Sequence, residues 1–108
     1  MHKVYLSLGS NLGDREATMR SAIEMLNERA GTVDRQSSFI ETEPWGFESA
    51  NRFMNMCVRL LTALQPAELL EATKQIEREL GRTQKSVDGH HHDRPIDIDI
   101  LMYDDLQL

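Results

Sequence analysis

Arg94-Pro95-Ile96-Asp97-Ile98-Asp99-Ile100-Leu101 alternates isoleucine with aspartate, the two-residue period of a β-strand. Side chains two apart on a strand point to the same side, so Ile96, Ile98 and Ile100 face a core while Asp97 and Asp99 project together from the opposite face. Their Cα atoms lie roughly 7 Å apart at the usual rise per residue. Like charges at that range repel unless a cation sits between them. A divalent ion is the natural candidate, since Mg²⁺ takes a few carboxylates plus substrate phosphates. The plainer alternative is a pair of acids on the solvated face of an edge strand.

Working outward, six elements can be read. Residues 3–8 are apolar and β-rich, and Gly9-Ser10-Asn11 ends the run. A helix starts near Asp14, a good N-cap, carries Met19, Ala22, Ile23, Leu26 and Ala30 at helical spacing, and closes at Gly31. Residues 33–40 read as a second strand, and Glu43-Pro44-Trp45-Gly46 opens a loop. Residues 53–62 form a third strand, with Met54, Met56, Val58 and Leu60 on one face and Phe53, Asn55 and Cys57 on the other. Pro66 starts a second helix whose buried stripe is Leu69, Thr73, Ile76 and Leu80, and Gly81 ends it. Residues 82–93 are a polar connection into the Asp97/Asp99 strand.

The order β-α-β-β-α-β is the ferredoxin-like arrangement of the α+β class. It predicts a four-stranded antiparallel sheet with both helices on one face, leaving the other free to carry Phe53, Asn55, Asp97 and Asp99. That fold hosts many activities and names none.

Bulk properties narrow the classes. A length of 108 residues fits one domain, residues 1–108, and 40% hydrophobic with 28% charged residues describes an ordinary globular chain. The net charge of −6 argues against general nucleic-acid binding. No apolar run approaches a membrane span, and the apolar part of the N-terminus is too short for a signal peptide. Cys57 is the only cysteine, so no internal disulfide forms and a reducing, cytoplasmic setting is expected. Cys57 itself reads as a small buried residue, since no activating partner is identifiable.

One stretch gathers Glu77, Gly81, Arg82, Arg94, Asp97 and Asp99. Arginines bind phosphate through a planar fork, acids bind metal, and metal binds phosphate. Arginines bracketing a loop beside an acid pair suit a triphosphate; taken singly, Arg82 is a cation at a helix C-terminus and Glu77 a solvent-facing position. Neither Gly-x-x-x-x-Gly-Lys-Ser/Thr nor Gly-x-Gly-x-x-Gly occurs, so no glycine loop cradles the phosphates. Three consecutive histidines, His90 to His92, hint at zinc by composition only, and a solvated loop is the better reading. Trp45 is either a ligand contact or a staple for its loop. Phe53 suits stacking on a flat ring, and Asn55 offers a donor and an acceptor to a heterocycle edge; otherwise they are a minor-core ring and a surface amide.

At these residues the chain resembles the 6-hydroxymethyl-7,8-dihydropterin pyrophosphokinase family. The matching segments are Tyr5-Leu6-Ser7-Leu8-Gly9-Ser10-Asn11-Leu12-Gly13-Asp14-Arg15, Ser37-Ser38-Phe39-Ile40-Glu41-Thr42-Glu43-Pro44-Trp45-Gly46, Phe53-Met54-Asn55, Ile76-Glu77-Arg78-Glu79-Leu80-Gly81-Arg82 and the Arg94 to Leu101 run. The resemblance implies transfer of diphosphate from ATP to the pterin hydroxymethyl group, with release of AMP. It implies that Asp97 and Asp99 hold two Mg²⁺ ions, and that Arg82 and Arg94 contact the phosphates, Arg94 in the transition state. Leu70, Glu77 and Ile100 join Arg82 and Arg94 in binding ATP. Asn55, Phe53 and the stretch Thr42, Glu43, Pro44 and Trp45 form the pterin pocket. Loops after Gly9, around Trp45 and between Arg82 and Arg94 close over the substrates. The partners implied are small molecules, with no nucleic acid and no membrane, acting on a monomer.

Two features depart from the family pattern. Relatives continue beyond the position of Leu108 with a Pro-His-Pro-type segment and an Arg-x-Phe region, absent from this sequence. Gln84 and the histidine tract stand where some relatives are more basic. The rival readings are a non-catalytic ferredoxin-like module that binds a small ligand or a protein, an inactive fragment of the enzyme, and an RNA-recognition fold. Against the last stand the acidic balance and the lack of an aromatic-basic strand motif.

Overall fold

The computed structural model describes residues 1–11, 13–42, 53–81 and 96–107. The elements are β1 (His2–Ser10), α1 (Arg15–Arg29), β2 (Thr32–Gln36), β3 (Ile40–Thr42), β4 (Phe53–Thr62), α2 (Pro66–Gly81), β5 (Asp97–Tyr103) and β6 (Leu106–Gln107). They form one antiparallel sheet in the order β2-β4-β1-β5-β6, with β3 also pairing β4. The ferredoxin-like core is therefore present, with β1 and β4 central.

The helices begin and end where local chemistry directs. The Asp14 side chain accepts the Ala17 N–H at 3.1 Å, and Ala30 and Gly31 both donate to the Leu26 carbonyl at the other end of α1. Gly31 sits against β4: a Cβ there would lie 2.1 Å from the Leu61 carbonyl oxygen. Ahead of α2, the Glu68 carboxylate accepts the Gln65 N–H at 2.9 Å. Arg29 and Glu79 form a two-pronged ion pair, at 2.5 and 2.9 Å, that joins the helices.

Alternation puts Val4, Leu6 and Leu8 of β1 opposite Leu60, Val58 and Met56 of β4, all buried. With Ile96 and Ile98 they meet Met19, Ala22, Ile23 and Leu26 of α1 and Leu69 and Ile76 of α2. Thr73 is buried in the same stripe, while Leu80 is only half-buried. The buried Thr62 hydroxyl donates to the Ala30 carbonyl at 2.5 Å, and the Tyr103 hydroxyl to the Leu64 carbonyl, both fastening the end of the sheet at the start of β1 to the segments that border the helices.

The sheet departs from the expected four strands in two places. The strand expected over residues 33–40 is two pieces. Between them Ser37 takes over the ladder: its N–H donates to the Cys57 carbonyl at 2.8 Å, and its hydroxyl accepts the Cys57 N–H at 2.9 Å. A short β6 turns back on β5 through Asp104, whose φ of 52° is left-handed, a conformation Asp tolerates better than most residues. Asp104 also accepts from the Lys3 N–H at 2.8 Å and contacts His2 Nδ1 at 2.6 Å, clasping the hairpin to the chain start. Cys57, expected to be buried, is exposed on the face away from the helices. Among the described residues no helix is long and apolar enough to cross a membrane.

Candidate active site

Asp97 and Asp99 open β5, half-buried and exposed respectively, and Ile98 between them is buried. Asp97 lies opposite Gly9 of β1, which in turn lies opposite Asn55 of β4. Asp99 lies opposite Ser7, which faces Cys57. The acid pair and the Asn55 amide thus share the helix-free face, as the alternation predicts.

On its outer side β5 is paired only at Met102 and Tyr103 among the described residues, because β6 is so short. Beside the unpaired part a cleft of about 550 Å³ runs between β5 and α2. Pro66, Ala67, Leu70, Lys74 and Glu77 line it from α2, and Asp97, Ile98, Asp99 and Ile100 from β5. The helical residues recur at three- and four-residue steps, one face of α2. The cleft is graded: apolar beside Pro66, Ala67, Leu70 and Ile100, acidic at Glu77, Asp97 and Asp99, with Lys74 between. Leu70 is 47% exposed, unusual for a leucine and consistent with its place on an open wall.

Glu77 ties the two walls together. Its carboxylate accepts the Ile98 N–H at 2.7 Å. Burial pushes its pKa up; the bond from Ile98 opposes this, the charge of Asp97 adds to it, Lys74 counters, and Asp99 adds a further increment.

Of the residues expected at the site, the structure brings Leu70, Glu77, Asp97, Asp99 and Ile100 to one cleft. Asn55 stands two strands away on the same sheet face. The backbones of Thr42 and Phe53 are paired across β3 and β4, leading to Asn55 two residues on. The side chains of Thr42 and Phe53, and all of Glu43, Pro44, Trp45, Arg82 and Arg94, lie outside the described residues. Sequence reasoning missed Pro66, Ala67, Lys74 and Ile98 as lining residues. No sequence pattern singles out Lys74; the seating of α2 against β5 brings it to the cleft that the acids line.

Among the described residues no three His, Cys, Asp or Glu side chains gather around one point. A cation held by Asp97 and Asp99 alone would need further ligands from outside these two side chains.

The ferredoxin-like sheet thus carries an acid pair beside a graded cleft. The sequence model of the family described as 7,8-dihydro-6-hydroxymethylpterin-pyrophosphokinase matches residues 5–108, and the chain belongs to that family. It is 59% identical over 100 residues to the 2-amino-4-hydroxy-6-hydroxymethyldihydropteridine pyrophosphokinase of Porphyromonas gingivalis, covering 93% of this chain and 68% of that protein. It is 48% identical to the Bacillus subtilis protein of the same name, covering 92% of this chain and 58% of the relative. A crystal structure of Plasmodium falciparum HPPK-DHPS superposes with a TM-score of 0.69 at 18% identity, covering 97% of this chain and 29% of that one, a likeness of fold.

Proposed function

We propose that this chain carries the core of an ATP-dependent pyrophosphokinase that transfers diphosphate to the hydroxymethyl group of 6-hydroxymethyl-7,8-dihydropterin, releasing AMP, in folate biosynthesis. The observation that carries the reading is the cleft in which one face of α2 meets the acid pair of β5, in a chain that belongs to this family.

The grading of the cleft suits a nucleotide lying along it. The adenine belongs at the apolar end, against Leu70 and Ile100, where the open edge of β5 offers backbone hydrogen-bonding groups. The triphosphate belongs at Asp97 and Asp99. These acids would hold two Mg²⁺ ions, whose hard-cation charge neutralises phosphate oxygens in line with their carboxylate chemistry. Arg82 and Arg94 are assigned to the phosphates by their place in the family motifs, and guanidinium forks suit that role. Asn55 orients the pterin by its donor and acceptor, with Phe53 and the residues Thr42 to Trp45 completing the pocket. In this geometry the alcohol oxygen attacks the β-phosphorus and AMP departs. Positioning and electrostatics supply most of the acceleration, as in other phosphoryl transfers. The lone cysteine supports a reducing, cytoplasmic setting.

The test is AMP formation by the chain supplied with ATP, Mg²⁺ and the pterin, with Asp97→Asn in parallel. Pterin-dependent AMP that disappears in the variant supports the reading. Folded protein that binds Mg-nucleotide but forms no AMP with the pterin points instead to a non-catalytic binding module.

A further inference from the structure

We infer that Arg15 and Glu41 are positioning residues for the reaction: their ion pair seats β3 on α1, and β3 in turn holds the stretch of β4 that carries Asn55. The inference rests on the function proposed above and deepens it, through two residues on the helical side of the sheet.

Along its outer side β4 has two short neighbours. β2 pairs with it from Val58 to Leu61, and β3 from Phe53 to Asn55. Ile40 lies opposite Asn55, Glu41 opposite Met54 and Thr42 opposite Phe53. The Asn55 end of β4 therefore takes its outer backbone pairing from a strand of only three residues. Strands usually run to five or six, so β3 depends on support from outside the sheet.

That support comes from α1. Met54 packs against the core, so Glu41, opposite it, points to the helical side. There Arg15, the first residue of α1, meets the Glu41 carboxylate at 2.8 Å. Phe39, two residues earlier, also packs against the core, and the Arg20 guanidinium lies over its ring at 5.5 Å from the centroid. The spacings match: two residues of strand advance about 7 Å, and five of helix about 7.5 Å. Two arginines of one helix thus fix two points of the chain that forms β3. The Arg15 and Glu41 side chains are 27% and 43% exposed, a setting in which an ion pair adds little to overall stability. Its effect is local, on where β3 sits and hence on how Asn55 is presented.

The experiment compares the unsubstituted chain with Arg15→Glu, Glu41→Arg and the double exchange. It measures pterin affinity in the presence of Mg²⁺ and α,β-methylene-ATP, affinity for that nucleotide alone, and the thermal midpoint. Each single reversal sets like charges together and is expected to weaken pterin binding on the order of tenfold. The double exchange restores an opposite pair and with it most of the affinity. Nucleotide affinity and the midpoint stay close to those of the parent in all three variants. Pterin affinity untouched by the single reversals overturns the inference, as does a double exchange that recovers nothing. Parallel weakening of both ligands with a lowered midpoint also overturns it, since that marks a purely structural pair. Nucleotide binding without pterin binding by the unsubstituted chain overturns the proposed function, and the inference with it.

Discussion

The Glu77 carboxylate receives the Ile98 N–H at 2.7 Å, at the one residue that separates Asp97 from Asp99. Helix α2 thereby holds the strand edge that displays the acid pair. Glu77→Gln keeps an acceptor oxygen for Ile98 and is expected to unfold in urea close to the parent. Glu77→Ala loses the acceptor and costs about 1 kcal/mol. Both remove the charge that faces Lys74, and nucleotide affinity measured by calorimetry is expected to change in both.

Asp97→Asn and Asp99→Asn should each reduce AMP formation on the order of a hundredfold or more, because each removes a hard anionic ligand at the site assigned to the metal ions. The folded state should not suffer. Both acids lie on the helix-free face rather than in the core, so neutralising either is expected to leave the thermal midpoint near that of the parent. A collapse of the midpoint would assign the pair a structural task instead.

Gly31→Ala is expected to cost about 2 kcal/mol in chemical denaturation. The added methyl meets the Leu61 carbonyl oxygen at 2.1 Å, a backbone atom that cannot rotate away. Because Gly31 lies at the end of α1 that closes on β4, nucleotide affinity per folded molecule should be unchanged.

The Asp34–Arg59 pair supplies a pH test. Arg59 donates to the Asp34 carboxylate at 2.9 Å through Nε, with a second bond at 2.5 Å. The guanidinium holds the Asp34 pKa below the ordinary carboxylate value. A depressed carboxylate pKa means the unfolded chain binds the proton more tightly. The pair's contribution is thus present above the unfolded value of about 3.9 and is lost as pH falls through the folded one. The urea midpoints of parent and Asp34→Asn should differ at neutral pH and converge in acid.

Much of the frame was legible because alternation survives where one face is buried. Met54, Met56, Val58 and Leu60 mark out β4 with the bounds the structure shows, and Asp14 and Pro66 start the two helices as read. The break between β2 and β3 was not legible. Arg35-Gln36-Ser37-Ser38-Phe39 contains no glycine or proline, and the interruption works through a serine hydroxyl that stands in for a backbone carbonyl. The exposed Cys57 was misread because its residue type outweighed its position, although its parity with Asn55 already placed it opposite the core. The acids of the cleft were readable from their own strand. Lys74, Pro66 and Ala67 were not, because their role depends on how α2 lies against β5, and no local pattern encodes that seating.

The outer margin of β5 has a cost that follows from its use. Unpaired backbone groups alongside a cleft are available to a nucleotide, and equally to any extended peptide. Glu77 occupies one of them at Ile98; the rest of the margin, between Ile98 and Met102, has no strand beside it among the described residues. An occupant of the cleft would therefore act as a chaperone for the fold as well as a reactant, shielding the surface through which two copies could otherwise zip together. Starved of nucleotide, the chain should be the more prone to aggregate.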